Sequence, residues 1–169
     1  LNGSCCRYTI ADDYIAFHSV FASSYTIARL GQPAAQAGEP AVFFAKESGA
    51  DKISIYGADG GKIDHVLGNI FLLKTADKIG LKAVIKGEKY KMTLIKQGKN
   101  DFSAPKGVTV SVIPFSGKTD FYKSDGLYYP LNDLTIAPDC TRGISNVTIK
   151  DDFSIEIKNG EALVIVYDK

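Results

Sequence analysis

The chain has 169 residues, with 20 Lys and Arg against 19 Asp and Glu, a net charge of +1, and three cysteines. So even a balance lacks the concentrated basic surface that nucleic acid or an anionic membrane requires, which argues against either as the main partner. Cys5, Cys6 and Cys140 form an odd set without CxxC or Cys/His spacing, giving little support to a zinc site; with no apolar run of 18 or more and no basic-then-apolar leader, the expectation is a soluble protein of the reducing cytoplasm.

In chain order, Glu39 to Ser48 is predicted to be a helix, with Pro40 in its first turn and Gly49 just past its end. Lys52 to Tyr56 follows as a short strand. From Asp64 to Lys78, Val66, Leu67, Ile70, Phe71 and Leu73 recur at helical spacing until Gly80, and Lys82 to Ile85 can form the next strand. This alternation predicts an α/β domain with an open, mostly parallel sheet over residues 1–86. After residue 87 the helical period disappears. Tyr90-Met92-Leu94 and Phe153-Ile155-Ile157 alternate with polar residues, Val108 to Ile113 is β-branched and closed by Pro114, and Asn159-Gly160 predicts a hairpin into Ala162 to Val166. Residues 87–169 are therefore expected to form a β-sandwich or barrel, joined to the first domain by a turn at 86–89.

The run Ile53 to Ile70 takes a strand through Gly60-Gly61 into a helix. That junction aims backbone N–H groups and a helix N-terminus at one point, which attracts phosphate. The glycines permit close backbone approach, Lys62 offers a point charge, and Asp64 is a hard oxygen ligand of the type magnesium takes together with phosphate oxygens. On the residues alone, Asp64 can equally N-cap the helix while the glycines make an ordinary turn. His65 and Asn69 lie four apart on one helix face, either lining a nucleotide cleft or as satisfied, partly buried side chains. Tyr122, Tyr128 and Tyr129 can stack on a ligand, although core or cross-strand packing is the better reading.

Four blocks carry a resemblance: Gly60 to Asn69, Val110 to Ser116, Gly126 to Leu131 and Arg142 to Asn146. In order and approximate spacing they resemble the thiamine pyrophosphokinase family, over about residues 39 to 169. The resemblance implies an α/β catalytic domain joined to a β-sandwich, in a homodimer that holds thiamine between the catalytic domain of one subunit and the sandwich of the other. It implies transfer of the pyrophosphoryl group of ATP to the hydroxyethyl oxygen of thiamine, with release of AMP and a need for Mg2+. It places Gly60, Gly61, Lys62, His65 and Asn69 at the nucleotide, Asp64 at the metal, Lys62 and Asp64 in catalysis, and Ser145 and Asn146 at thiamine. Lys62 stands where the family more often has arginine. A hydroxyl and an amide at Ser145 and Asn146 suit the mixed donors and acceptors of an aminopyrimidine; without the resemblance they would read as an ordinary turn.

The first 40 residues depart from the family pattern. Asp13-Tyr14-Ile15 leads into Ala16-Phe17-His18-Ser19, where both aspartates of the family's acidic block are replaced. Ala34 to Gly38 stand where further aspartates occur, leaving Glu39 as the one carboxylate there. Leu1-Asn2-Gly3 resembles the end of a first strand, with too few residues before Asp13 for a strand, helix and strand. Asp12 and Asp13 read as a solvated turn rather than as substitutes. The alternative expectation is thus a decayed or shortened homologue that binds thiamine or its diphosphate without turnover.

Overall fold

A computed structural model of the protein describes residues 7–10, 14–19, 24–29, 38–59 and 62–169. Leu1 to Gly3, Cys5, Cys6, Asp12, Asp13, Ala34 to Ala37, Gly60 and Gly61 lie outside the described residues. The chain is a mixed, sheet-dominated protein with two described helices, and it divides into two compact units, Leu1–Glu88 and Lys89–Lys169. No helix among the described residues is long and apolar enough to cross a membrane.

The first unit runs β1 (Arg7–Ile10), β2 (Tyr14–Ser19), β3 (Ser24–Arg29), α1 (Gly38–Glu47), β4 (Lys52–Tyr56), α2 (Ile63–Lys78) and β5 (Lys82–Lys86). Its strands lie in chain order. β1 with β2 and β2 with β3 are antiparallel, while β3 with β4 and β4 with β5 are parallel. The expected mostly parallel sheet is therefore mixed, and connection length explains why. Three residues separate β1 from β2 and four separate β2 from β3, whereas a parallel crossover needs a dozen or more. Each parallel step carries one helix among the described residues, and these two helices pack on each other. Ala41, Val42, Ala45, Ile53, Ile55, Leu72, Leu73, Ala76 and Ile85 form the interior.

The apolar stripe of α2 is wider than the face it buries. Asn69, Leu72, Leu73 and Ala76 point inward, while Leu67 and Phe71 are more than half exposed. A helix against one layer buries only about a third of its circumference, so the outer part of a broad apolar band stays in solvent.

The second unit is all antiparallel: β6 (Tyr90–Ser103), β7 (Thr109–Pro114), β8 (Thr119–Asp125), β9 (Leu134–Ile136), β10 (Asn146–Val147) and β11 (Asp152–Tyr167). β11 is its spine. It pairs with β6 along its whole length, with β8 through its first half and with β7 through its second; β10 pairs with β7, and β9 with β8. Val110, Val112, Phe121, Leu131, Ile136, Phe153, Ile155, Ile157 and Val164 fill the core between them. The hairpin expected at Asn159-Gly160 is not formed. The chain continues through these residues as one strand, with a register shift between Ile157 and Glu161 where Gly160 has φ +93°. A glycine at positive φ serves a bulge as well as a tight turn, and the long partner β6 keeps both halves in line. A Cβ on Gly160 would lie 2.6 Å from the Lys118 carbonyl oxygen, so the bulge lets two backbones meet.

Candidate functional site

In the first unit, β4 ends at Tyr56 and α2 begins at Ile63, so the intervening loop opens at the carboxyl ends of the parallel strands, the edge where such sheets bind ligands. Lys62 is the N-cap residue, with extended backbone and no side-chain capping bond. Asp64 therefore lies inside the first turn, and the capping role open to it on sequence is not the one it has. Its side chain is 72% exposed, and its carboxylate stands 4.0 Å from Nε2 of His65, whose side chain is largely buried. A carboxylate in the first turn gains from the positive end of the helix.

Asn69 is buried, and its Nδ2 donates to the Ala58 carbonyl at 2.9 Å. That bond ties α2 to the loop after β4 and fixes where the loop departs. Gly60 and Gly61 fall outside the described residues. Lys62, Asp64 and His65 are thus gathered at the start of α2, while Asn69 acts one turn further on by holding the loop.

One pair at this edge escaped the sequence reading. Lys86 and Tyr56 end adjacent strands in direct register, and Nζ of Lys86 donates to the Tyr56 hydroxyl at 3.1 Å while lying 5.4 Å from the ring centroid. The available signal was that two consecutive predicted strands end in an aromatic and a cation. Among the described residues no cluster of three or more His, Cys, Asp or Glu could hold a metal. Asp64 can lend one hard oxygen, which fits magnesium that arrives with a nucleotide and keeps phosphate and water as its other ligands.

The second unit brings three of the four sequence blocks into contact. Asn146 is 3% exposed, and its side-chain amide is engaged by the main chain. Its Oδ1 accepts from the N–H of Tyr129 at 3.0 Å and of Val147 at 2.8 Å, and its Nδ2 donates to the Tyr129 carbonyl at 2.7 Å. This clasp joins block 142–146 to block 126–131, and the Tyr128 N–H reinforces it by donating to the Val147 carbonyl at 2.9 Å.

The third block, on β7, holds the turn from the other side. Val112 N–H donates to the Gly143 carbonyl at 2.7 Å, and Ser145 N–H donates to Oγ of the buried Ser111 at 3.1 Å. Gly143 approaches β7 so closely that a Cβ would land on the Val112 carbonyl oxygen. Ser145 has φ +59°, a conformation that costs a residue with a Cβ roughly 1–3 kcal/mol and that surrounding bonds must hold.

The segment clasped to this turn carries two aromatic rings. Tyr128 and Tyr129 are 64% and 61% exposed, with centroids 4.8 Å apart in an edge-to-face arrangement. Of the core or cross-strand packing expected of Tyr122, Tyr128 and Tyr129, the core placement is not found, since all three are exposed. In segment 126–131 the inward places belong to Leu127 and Leu131, and the tyrosines between them face out. Ser145 is exposed next to Asn146 in the chain, so its hydroxyl and the tyrosine segment are joined through the Asn146 clasp.

Comparison with known proteins gives a consistent result. Residues 92–164 match the family described as thiamin pyrophosphokinase, vitamin B1 binding domain. Thiamine pyrophosphokinase of Bacillus subtilis (strain 168) is 31% identical over 126 residues, covering 74% of this chain and 59% of that protein. The crystal structure of a thiamine pyrophosphokinase from Bacillus subtilis superposes with a TM-score of 0.71 at 30% identity, over 77% of this chain and 62% of the other. That of the Geobacillus thermodenitrificans protein gives 0.68 at 26% identity, over 83% and 65%. The chain spans less than two thirds of the length of each of these relatives.

Proposed function

We propose that this protein, whose residues 92–164 match the thiamin pyrophosphokinase vitamin B1 binding domain family, binds thiamine on its second unit and carries a pyrophosphoryl group to it from ATP. The first unit is then the α/β nucleotide-binding domain and the second the thiamine-binding β-sandwich, within a cytoplasmic homodimer that completes each thiamine site across two subunits. The observation that carries this reading is the convergence of blocks 110–116, 126–131 and 142–146 on one braced turn to which the exposed tyrosine segment is bonded. Thiamine is an aromatic cation with a polar aminopyrimidine. Tyrosine faces attract such a cation and stack on its rings, while the exposed Ser145 hydroxyl can meet the pyrimidine edge and Asn146 ties the tyrosine segment to the turn.

In the reaction, the hydroxyethyl oxygen of thiamine attacks the β-phosphorus of ATP, its proton leaves, and AMP departs with the bridging oxygen. Transfers of this kind depend on positioning and on neutralising the phosphate charge. Lys62 and the N-terminus of α2 supply positive charge, and Gly60 and Gly61, having no Cβ, put no side chain in the way of a phosphate. Asp64 would hold Mg2+, which when bound neutralises phosphate oxygens. His65 and Asn69 shape the cleft, the latter through Ala58.

Asp64→Asn tests the nucleotide half. The carboxylate is exposed and caps nothing, so unfolding stability should change by less than about 1 kcal/mol while Mg-ATP affinity falls. A large stability loss with unaltered nucleotide binding would remove Asp64 from the site. Assembly is tested by light scattering: the proposal expects a dimer at micromolar concentration, and a monomer that still binds thiamine would contradict it.

A second reading, thiamine binding without turnover, is favoured by Ala16 and His18 standing where the family pattern has aspartates. AMP release with thiamine and magnesium present separates the two. Thiamine-dependent release, slow compared with a relative that has both aspartates, is expected of the enzyme; thiamine binding with no AMP above background would establish the binder.

A further inference from the structure

In the turn of the proposed thiamine face, the N–H of the residue at positive φ is bonded to a buried hydroxyl. Ser111 sits on β7 between Val110 and Val112, and all three are buried, so both faces of the strand are covered at this point. A serine there satisfies no apolar packing need, and its Oγ accepts the main-chain N–H of Ser145. Ser145 is the residue of the turn with φ +59°, and it is exposed. Without a partner for its N–H, the peptide before Ser145 loses the anchor that fixes this φ, and the residue is drawn toward the ordinary negative region. That rotation would redirect the Ser145 side chain, while Gly143 stays tied to Val112.

We propose that Ser111 is a positioning residue for thiamine: it does not touch the ligand, and its hydroxyl holds Ser145 in the left-handed conformation that presents the Ser145 hydroxyl to the aminopyrimidine. The inference rests on reading this face as the thiamine site. It assigns a role to a residue that lies inside a strand and outside the turn, and it explains why a polar side chain occupies an otherwise apolar stretch of β7.

Thiamine is titrated calorimetrically into the full chain as wild type, Ser111→Ala, Ser145→Gly and the double variant. Ser145→Gly adopts positive φ without strain, so it isolates the loss of the hydroxyl. Each single change should weaken binding roughly tenfold, the value of one hydrogen bond. The double variant should be no weaker than Ser145→Gly, because Ser111 acts only through Ser145. Losses that multiply in the double variant would overturn the proposal, as would wild-type affinity in either single variant, and in both cases the thiamine reading would stand. A wild-type chain that binds no thiamine removes that reading, and the inference with it. Should Ser111→Ala fail to fold, Ser111→Cys keeps the shape with a weaker acceptor and carries the same comparison.

Discussion

Gly143→Ala should destabilise the second unit by more than about 3 kcal/mol, with a fall in Tm on the order of 10 °C or more. The added methyl has nowhere to go, because its carbon would overlap the Val112 carbonyl oxygen, and Ile136 closes the space behind. Relief by movement is blocked too. Val112 N–H is bonded to the Gly143 carbonyl, and Val112 is paired with Val164 in the middle of the unit. Either the turn lifts off β7, breaking that bond and the one from Ser145 to Ser111, or β7 leaves β11. Urea unfolding followed by far-UV circular dichroism measures the effect. A change below about 1 kcal/mol would mean that the turn is not seated on β7 as described.

Asn146→Ala carries the second large effect. It leaves two main-chain N–H groups and one carbonyl without their partner, and Asn146 lies in the interior. Each such group costs about 1–3 kcal/mol when water cannot replace the bond; because Tyr129 is exposed, a total of about 2–4 kcal/mol is expected. Thiamine affinity should fall at least tenfold in the same variant, since the tyrosine segment is no longer tied to the turn. A loss of affinity without any loss of stability would identify Asn146 as a plain ligand contact. A loss of stability with unchanged affinity would take the clasp out of the site.

Much of the secondary structure is legible in the sequence because periodicity and punctuation agree. Pro40 and Gly49 bracket α1, the stretch before Gly80 is α2, and the alternation at Tyr90-Met92-Leu94 and Phe153-Ile155-Ile157 marks β6 and the first half of β11. What failed has identifiable causes. Asn159-Gly160 reads as a hairpin because a positive-φ glycine is the common signal of a turn and a bulge, and only the partner strand decides between them. The antiparallel start of the first sheet depends on connection lengths between strands that carry no strong pattern of their own. A core place for Tyr128 and Tyr129 is one reading of large aromatics, and their exposure follows from Leu127 and Leu131 taking the inward places.

In the candidate site, the blocks themselves could be located, but their connections could not. That the Asn146 amide clasps Tyr129 across 17 positions, or that Ser111 reaches Ser145 across 34, depends on which strands lie side by side. The one trace of it in the sequence is a serine within Val110-Ser111-Val112, where apolar residues on both sides suggest a buried strand and leave the hydroxyl in need of a partner.

Direct titration of thiamine into the intact chain, repeated with Asn146→Ala, tests the central claim that the braced turn and its tyrosines are a thiamine site. Saturable binding by the wild type that weakens at least tenfold in the variant is the predicted result. No binding by the folded wild type at millimolar thiamine, or equal binding by the two proteins, would contradict it.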